Sequence, residues 1–228
     1  MNKNEKFIIT LSRELGSGGR TVGHMLAERL GVAFYDKALI DALKEKFNLS
    51  VDEIEKLKGK SHSWWAGLKS FLFSTDPNEY SNEGIVVVPP YSQIIAFSPT
   101  NSQASYMKPT NKEMFDAETE ILKGIGEAES CVIAGRSGFY VFRDHPNHLS
   151  VLIQASMPVR VERVMRKQNM TEEEARKTIE KVDKMRESYV KEFTGTSRYD
   201  TRNYDLVISA DGKSEEEMVD LIMKYIGE

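Results

Sequence analysis

Residues 8–22 run IITLSRELGSGGRTV, and the order of events within them decides the fold. An apolar run, Ile8-Ile9-Thr10-Leu11, gives way to Gly16-Ser17-Gly18-Gly19, and a periodic apolar segment begins after Thr21. Glycines between a first strand and a first helix let backbone N–H groups converge on an anion, because no Cβ blocks the approach. The helix that follows adds its first-turn N–H groups and the positive end of its dipole. These parts support a phosphate-binding loop over a ligand-free turn, although the usual lysine is absent.

Two registers fit the pattern GxxxxGK[ST]. In one, Gly19-Arg20-Thr21 close the motif: Arg20 stands at the lysine position, Thr21 at the magnesium-binding hydroxyl, and Glu14 where the first glycine belongs. In the other, Gly16-Ser17-Gly18 form the loop's GxG and Gly19 falls at the lysine position. The charge must then come from Arg20 or, from the strand side, Arg13. Arginine keeps its charge at any working pH and can bind two phosphate oxygens at once.

Working outward, KFIITL (6–11) has the character of a short buried strand, and Thr21 to about Leu30 of a helix stopped by Gly31. VAFYD (32–36) is a second strand candidate, followed by helical KALIDALKEKF; Ser50 and Glu53 spell a capping box. A helix at 112–127, strands at 130–135 and 149–155, and a basic helix at 157–167 come later. Thr171-Glu172-Glu173-Glu174 opens a long helix to about Phe193, YDLVIS (204–209) is a last strand, and a final helix starts at Ser214. Strands alternating with helices imply a parallel sheet covered on both faces. Residues 60–112 interrupt this rhythm with SHSWWAGLKSFLFS and a Pro/Ser/Asn-rich tract, which marks an inserted subdomain.

Length suits one α/β domain with an insertion: the chain has 228 residues, 40% hydrophobic and 29% charged. A net charge of −4 argues against a general nucleic-acid binder. The single cysteine, Cys131, excludes an internal disulfide and zinc-ligand spacing, and is expected as a buried thiol. No apolar run approaches the about 18 residues that span a membrane, and the N-terminus lacks a signal peptide's pattern, so a cytoplasmic protein is expected. His24 is expected as a partly buried packing residue, while His145 and His148 show no metal-site spacing.

Three later stretches fall in the order of one known family. YDKALI (35–40) follows the second strand, AGRSGFYVFRDHP (134–146) the third, and a basic helix leads to KVDKMRESY (181–189). With SRELGSGGRTVG they resemble the cytidylate-kinase-like branch of the P-loop nucleoside monophosphate kinases, over most of the chain outside roughly 60–110. The resemblance implies a P-loop three-layer α/β sandwich with a parallel five-stranded sheet, a helical lid over 157–193, and an insert (60–112) that binds the acceptor or mediates self-association. It implies an ATP- and Mg²⁺-dependent kinase acting on a nucleoside monophosphate, CMP or dCMP first.

Carried over residue by residue, the resemblance puts Gly16, Ser17, Gly18, Gly19, Arg20 and Thr21 on the ATP phosphates, with Thr21 also on magnesium. Asp36 falls at the entrance to the monophosphate pocket, Arg136 on the acceptor phosphate, and Asp183 and Arg186 on its sugar or base. Arg160, Arg163 and Arg166 fall on a lid-flanking helix whose arginines reach the transferring phosphoryl group. Asp183 and Arg186 lie three apart and so share a helix face; a surface ion pair is the bland alternative. The chain departs from the family pattern at Lys37, Ala42, Ala134 and Ser137, and FDAETEILKGIGEAES before the third strand carries no arginine. Two other functions therefore stay open: a kinase for another small-molecule acceptor, and a non-catalytic nucleotide-binding scaffold associating through Trp64-Trp65.

Overall fold

The computed structural model describes residues 1–36 and 111–227. The helix expected after Asp36, the Ser50–Glu53 capping box and nearly all of the 60–112 insert, Trp64-Trp65 included, lie outside the described residues.

The first strand, β1, spans Ile8–Arg13, two residues beyond the expected end. Its neighbour explains the extension: β4 (His148–Gln154) pairs with it in parallel as far as Arg13 opposite Ile153. Helix α1 (Gly19–Leu30) starts two residues earlier than its apolar periodicity, with Gly18 as N-cap and Gly31 closing the C-terminus. β2 (Ala33–Tyr35), α2 (Asn111–Ala128) and β3 (Cys131–Ala134) follow among the described residues. A short α3 (Gly138–Val141) precedes β4. Beyond it come α4 (Met157–Gln168), α5 (Glu172–Thr194), β5 (Leu206–Ser209) and α6 (Glu215–Tyr225).

The five strands form one parallel sheet in the order β2-β3-β1-β4-β5. Alternation along β1 builds three layers, because successive side chains point to opposite faces. Ile9 and Leu11 pack with α1 and α6 through Val22, Leu26, Met218 and Ile222. Ile8 faces the other way, joining Ile121, Leu122 and Ile125 of α2 with Cys131 and Ile133. Cys131 is fully buried, as expected, and burial pushes its thiol well above the ordinary range. Val161, Val164, Ala175 and Ile179 zip α4 to α5, with Leu15 packed against them.

Capping boxes start α5 and α6, at the expected helix starts Thr171 and Ser214: the Glu174 N–H donates to Thr171 Oγ1 at 3.4 Å and the Glu217 N–H to Ser214 Oγ at 3.1 Å. Among the described residues no helix is long and apolar enough to cross a membrane. A parallel sheet puts all its carboxyl ends on one edge, where open α/β sheets bind ligands. Arg13, Asp36, Gly135-Arg136 and Ala155 all fall at that edge.

Candidate functional site

The segment from Glu14 to Gly18 turns β1 into α1 under α4. At Gly16, φ is 86°, and a Cβ would lie 2.6 Å from the Arg160 carbonyl oxygen, so glycine is required twice over. Arginines of α4 hold the loop's carbonyls: Arg160 Nε donates to Leu15 O at 2.8 Å and Arg163 Nη1 to Ser17 O at 2.9 Å. Ser17 is fully buried, and its hydroxyl donates to Glu14 O at 3.0 Å. Carbonyls tied outward leave the start of α1 to present its amides; its N-cap is a glycine without a side-chain bond, and its first turn holds no acid. A Cβ on Gly18 would sit 3.3 Å from Arg163 Nη1 and 3.2 Å from Glu215 Oε1, so α4 and α6 both border the loop.

A buried ion network braces this turn. Arg160, 5% exposed, pairs with Glu14 Oε1 at 3.4 Å and closely with Asp183. Asp183 also accepts from the Leu15 N–H at 3.3 Å and faces Arg198 Nη1 at 3.7 Å. Glu14 accepts from the Ala155 N–H at 2.9 Å, joining the loop to the end of β4.

Beside the loop, over the ends of β1 and β3, lies a cavity of about 250 Å³ that Arg13, Arg136, Arg186 and Arg198 share with Met185 and Tyr189. Among the described residues its lining includes four arginines and no Asp or Glu. Three successive residues, Gly135, Arg136 and Ser137, hold positive φ values of 87°, 57° and 53°. Non-glycine residues in that region store about 1–3 kcal/mol each, and such strain gathers where a side chain must be aimed. Glu118 aims this one: it is 2% exposed, pairs with Arg136 Nη1 at 2.8 Å and accepts from the Tyr189 hydroxyl at 2.9 Å. Burial, then the Glu118 charge, pushes the Tyr189 phenol above its ordinary range, so it stays a neutral donor. The Arg13 carbonyl accepts from Arg186 Nη1 at 3.2 Å and Arg198 Nη2 at 2.5 Å, fixing α5 and the segment after it to the end of β1.

The structure brings Gly16–Thr21, Arg136, Arg163 and Arg186 to one end of the sheet. Arg20 points aside: its side chain is 56% exposed and Nε meets Asp36 Oδ2 at 2.7 Å. Asp183 is no surface partner of Arg186; it is buried in the loop-bracing network. Of the other lid-helix arginines, Arg160 is engaged by Glu14 and Asp183, and Arg166 lies exposed. His24 is exposed, not packed away, with its ring edge-on to Phe34 at 5.8 Å.

Sequence reasoning missed Glu118, Arg198 and the bracing role of Glu14. Glu118 left a signal: it falls on the apolar face marked by Phe115, Ile121, Leu122 and Ile125, where a lone carboxylate needs a partner. Arg198, in an irregular segment, left none. Among the described residues no group of three or more His, Cys, Asp or Glu is placed to hold a metal ion. Mg²⁺ at a phosphate site needs only one or two protein oxygens, its other ligands being phosphate oxygens and water. The Thr21 hydroxyl, on the first turn of α1, fits that demand.

Residues 8–211 match the sequence model of the cytidylate kinase-like family. A crystal structure of an uncharacterised protein from Eubacterium ventriosum ATCC 27560 is similar at a TM-score of 0.65 and 24% identity, covering 97% of this chain and 98% of its own. Shikimate kinase from Bacteroides thetaiotaomicron gives a TM-score of 0.48 at 16% identity, covering 96% of this chain and 98% of that one. Shikimate kinase from Acinetobacter baumannii, solved in complex with shikimate, gives 0.45 at 17% identity, covering 97% and 93%. Comparison with curated proteins found no match.

Proposed function

We propose that this chain, which belongs to the cytidylate kinase-like family, transfers the γ-phosphoryl group of ATP to a nucleoside monophosphate, with CMP or dCMP as first-choice acceptor. The observation that carries the reading is the juxtaposition of an amide-presenting loop at Gly16–Thr21 with a four-arginine cavity at the same sheet edge. Phosphoryl transfer asks for alignment and charge neutralisation more than covalent help. The acceptor's phosphate oxygen forms a bond to Pγ while the bond from Pγ to the β-phosphate oxygen breaks, and ADP leaves. A phosphate dianion attacks without losing a proton, so no general base is required.

In this reading the amides of Gly16–Thr21 hold the donor phosphates, with Arg163 bordering the loop and Arg20 adding charge at its outer rim near Asp36. The Thr21 hydroxyl holds Mg²⁺, which draws charge off the phosphates when bound. Arg136 binds the acceptor phosphate, and Arg186 its sugar or base against Tyr189 and Met185. Asp183 serves the acceptor indirectly, by holding α5 and the loop in place. The α4–α5 hairpin acts as the lid that excludes water, since water would otherwise compete as acceptor. The enzyme works in the cytoplasm, where both nucleotides are supplied.

Coupled ADP release with a panel of monophosphates and non-nucleotide alcohols tests the reading. Turnover on CMP or dCMP is expected. Turnover only on a non-nucleotide moves the acceptor assignment, and ATP binding without any turnover contradicts the enzyme reading altogether.

A further inference from the structure

We infer that Arg13, the last residue of β1, supplies the cation that the donor loop lacks at its lysine position. The inference rests on Gly16–Thr21 holding the donor phosphates, and it names the charge that serves them.

Two glycines record the path of this side chain. A Cβ on Gly19, the first residue of α1, would lie 2.6 Å from Arg13 Cβ and 3.2 Å from its Cγ. The clash is with the root of the side chain, which cannot swing away, so the space a residue at 19 would use is filled by the Arg13 stem. At the other end, a Cβ on Gly135 would overlap Arg13 Nη1. Arg13 therefore rises over the start of α1 and ends over the carboxyl end of β3, among Arg136, Arg186 and Arg198. That route crosses the seam between the donor loop and the acceptor cavity, where the transferring phosphoryl group must pass.

Arg20 does not occupy this seam. It is directed to Asp36 at the end of β2, and β3 separates that strand from β1. Of the two registers the sequence allows, the geometry favours the one with Gly19 at the lysine position and the charge delivered from the strand. A strand-borne guanidinium reaching past a glycine performs the task of a helix-borne ammonium, and its planar fork can bind oxygens of the β- and γ-phosphates together. The Arg13 main chain is fixed by its pairing with Ile153 and by the Arg186 and Arg198 bonds to its carbonyl, so the root of the side chain is held in place before ATP arrives.

Moving the charge back to the helix provides the test. MgATP affinity is measured by calorimetry for the wild type, Arg13→Ala, Arg20→Ala and the double variant Arg13→Gly/Gly19→Lys, in which removing the whole side chain, Cβ included, opens room for the lysine. Arg13→Ala is expected to weaken MgATP binding about tenfold or more, the scale of a lost bond to a charged group, and the double variant to recover most of the loss. Arg20→Ala is expected to lose less than Arg13→Ala. Wild-type affinity in Arg13→Ala, no gain in the double variant, or a larger loss in Arg20→Ala overturns the inference. Should Arg13→Ala fail to fold, Arg13→Met keeps the stem over Gly19 and Arg13→Lys keeps the charge; equal MgATP affinities in those two also overturn it. A wild-type protein that binds no MgATP removes the donor reading itself, an outcome distinct from all of these.

Discussion

A methyl group on Gly16 would have to displace the backbone of α4, because its nearest neighbours there are the Arg160 carbonyl oxygen and Cα. Gly16→Ala is therefore expected to destabilise the fold by about 1–3 kcal/mol, through backbone strain and overpacking, and to weaken MgATP binding in the same variant. Urea unfolding and calorimetry check the two effects. His148 makes a second residue-level prediction. Burial, the larger cause, lowers its pKa from 6.5 to about 4, and its Nε2 lies 2.7 Å from Thr10 Oγ1. The native state holds this ring neutral, so between those values the unfolded chain binds the extra proton. Its contribution is fully present above pH 6.5 and falls as the pH drops toward 4, by roughly 3 kcal/mol in total. His148→Gln should flatten the stability profile between pH 7 and pH 5; an unchanged slope contradicts the assignment. Residues whose role is steric and local, such as Gly16 and Gly18, were legible in the sequence. The bracing role of Asp183 was not legible, because its partners Leu15, Arg160 and Arg198 come from three separate stretches.

At the scale of elements, the α4–α5 hairpin and the phosphate loop behave as one unit. Asp183 on α5, Arg160 on α4 and Glu14 in the loop share a single buried network, with Leu15 packed into the hairpin's apolar seam. Breaking a buried ion pair from one side leaves an uncompensated charge, so Asp183→Asn is expected to lower stability by about 3 kcal/mol. It should also weaken MgATP binding, since the Leu15 N–H and Arg160 lose the carboxylate that sets the loop's shape. Thr171→Ala removes only the α5 cap and should reduce stability by about 1 kcal/mol with MgATP affinity unchanged. A matching loss of affinity in both variants would contradict the unit drawn here. The capping box at Thr171 was legible because it is spelled within four residues. The end of β1 was not, because β4 supplies the partners that carry it on to Arg13.

For the whole molecule, an acidic chain concentrates positive charge at one end of its sheet. The net charge is −4, yet four arginines line a cavity of about 250 Å³ beside the loop. A cleft lined by one sign of charge raises the local concentration of its counter-ion, which in the proposed function is a phosphorylated acceptor. The parallel sheet followed from the alternation of strand and helix patterns, whereas the strand order and the convergence of Arg13, Arg136, Arg186 and Arg198 are products of topology that no single segment spells. The proposed function requires loop and cavity to hold the two ends of one phosphoryl transfer. A crystal structure with Mg²⁺ and an adenosine–cytidine pentaphosphate bisubstrate analogue tests it most directly. The predicted result is a phosphate chain running from the amides of Gly16–Thr21 past Arg13 to Arg136, with the cytosine against Tyr189 and Met185. A polyphosphate bound away from the loop, with the arginine cavity empty beside it, would contradict the account.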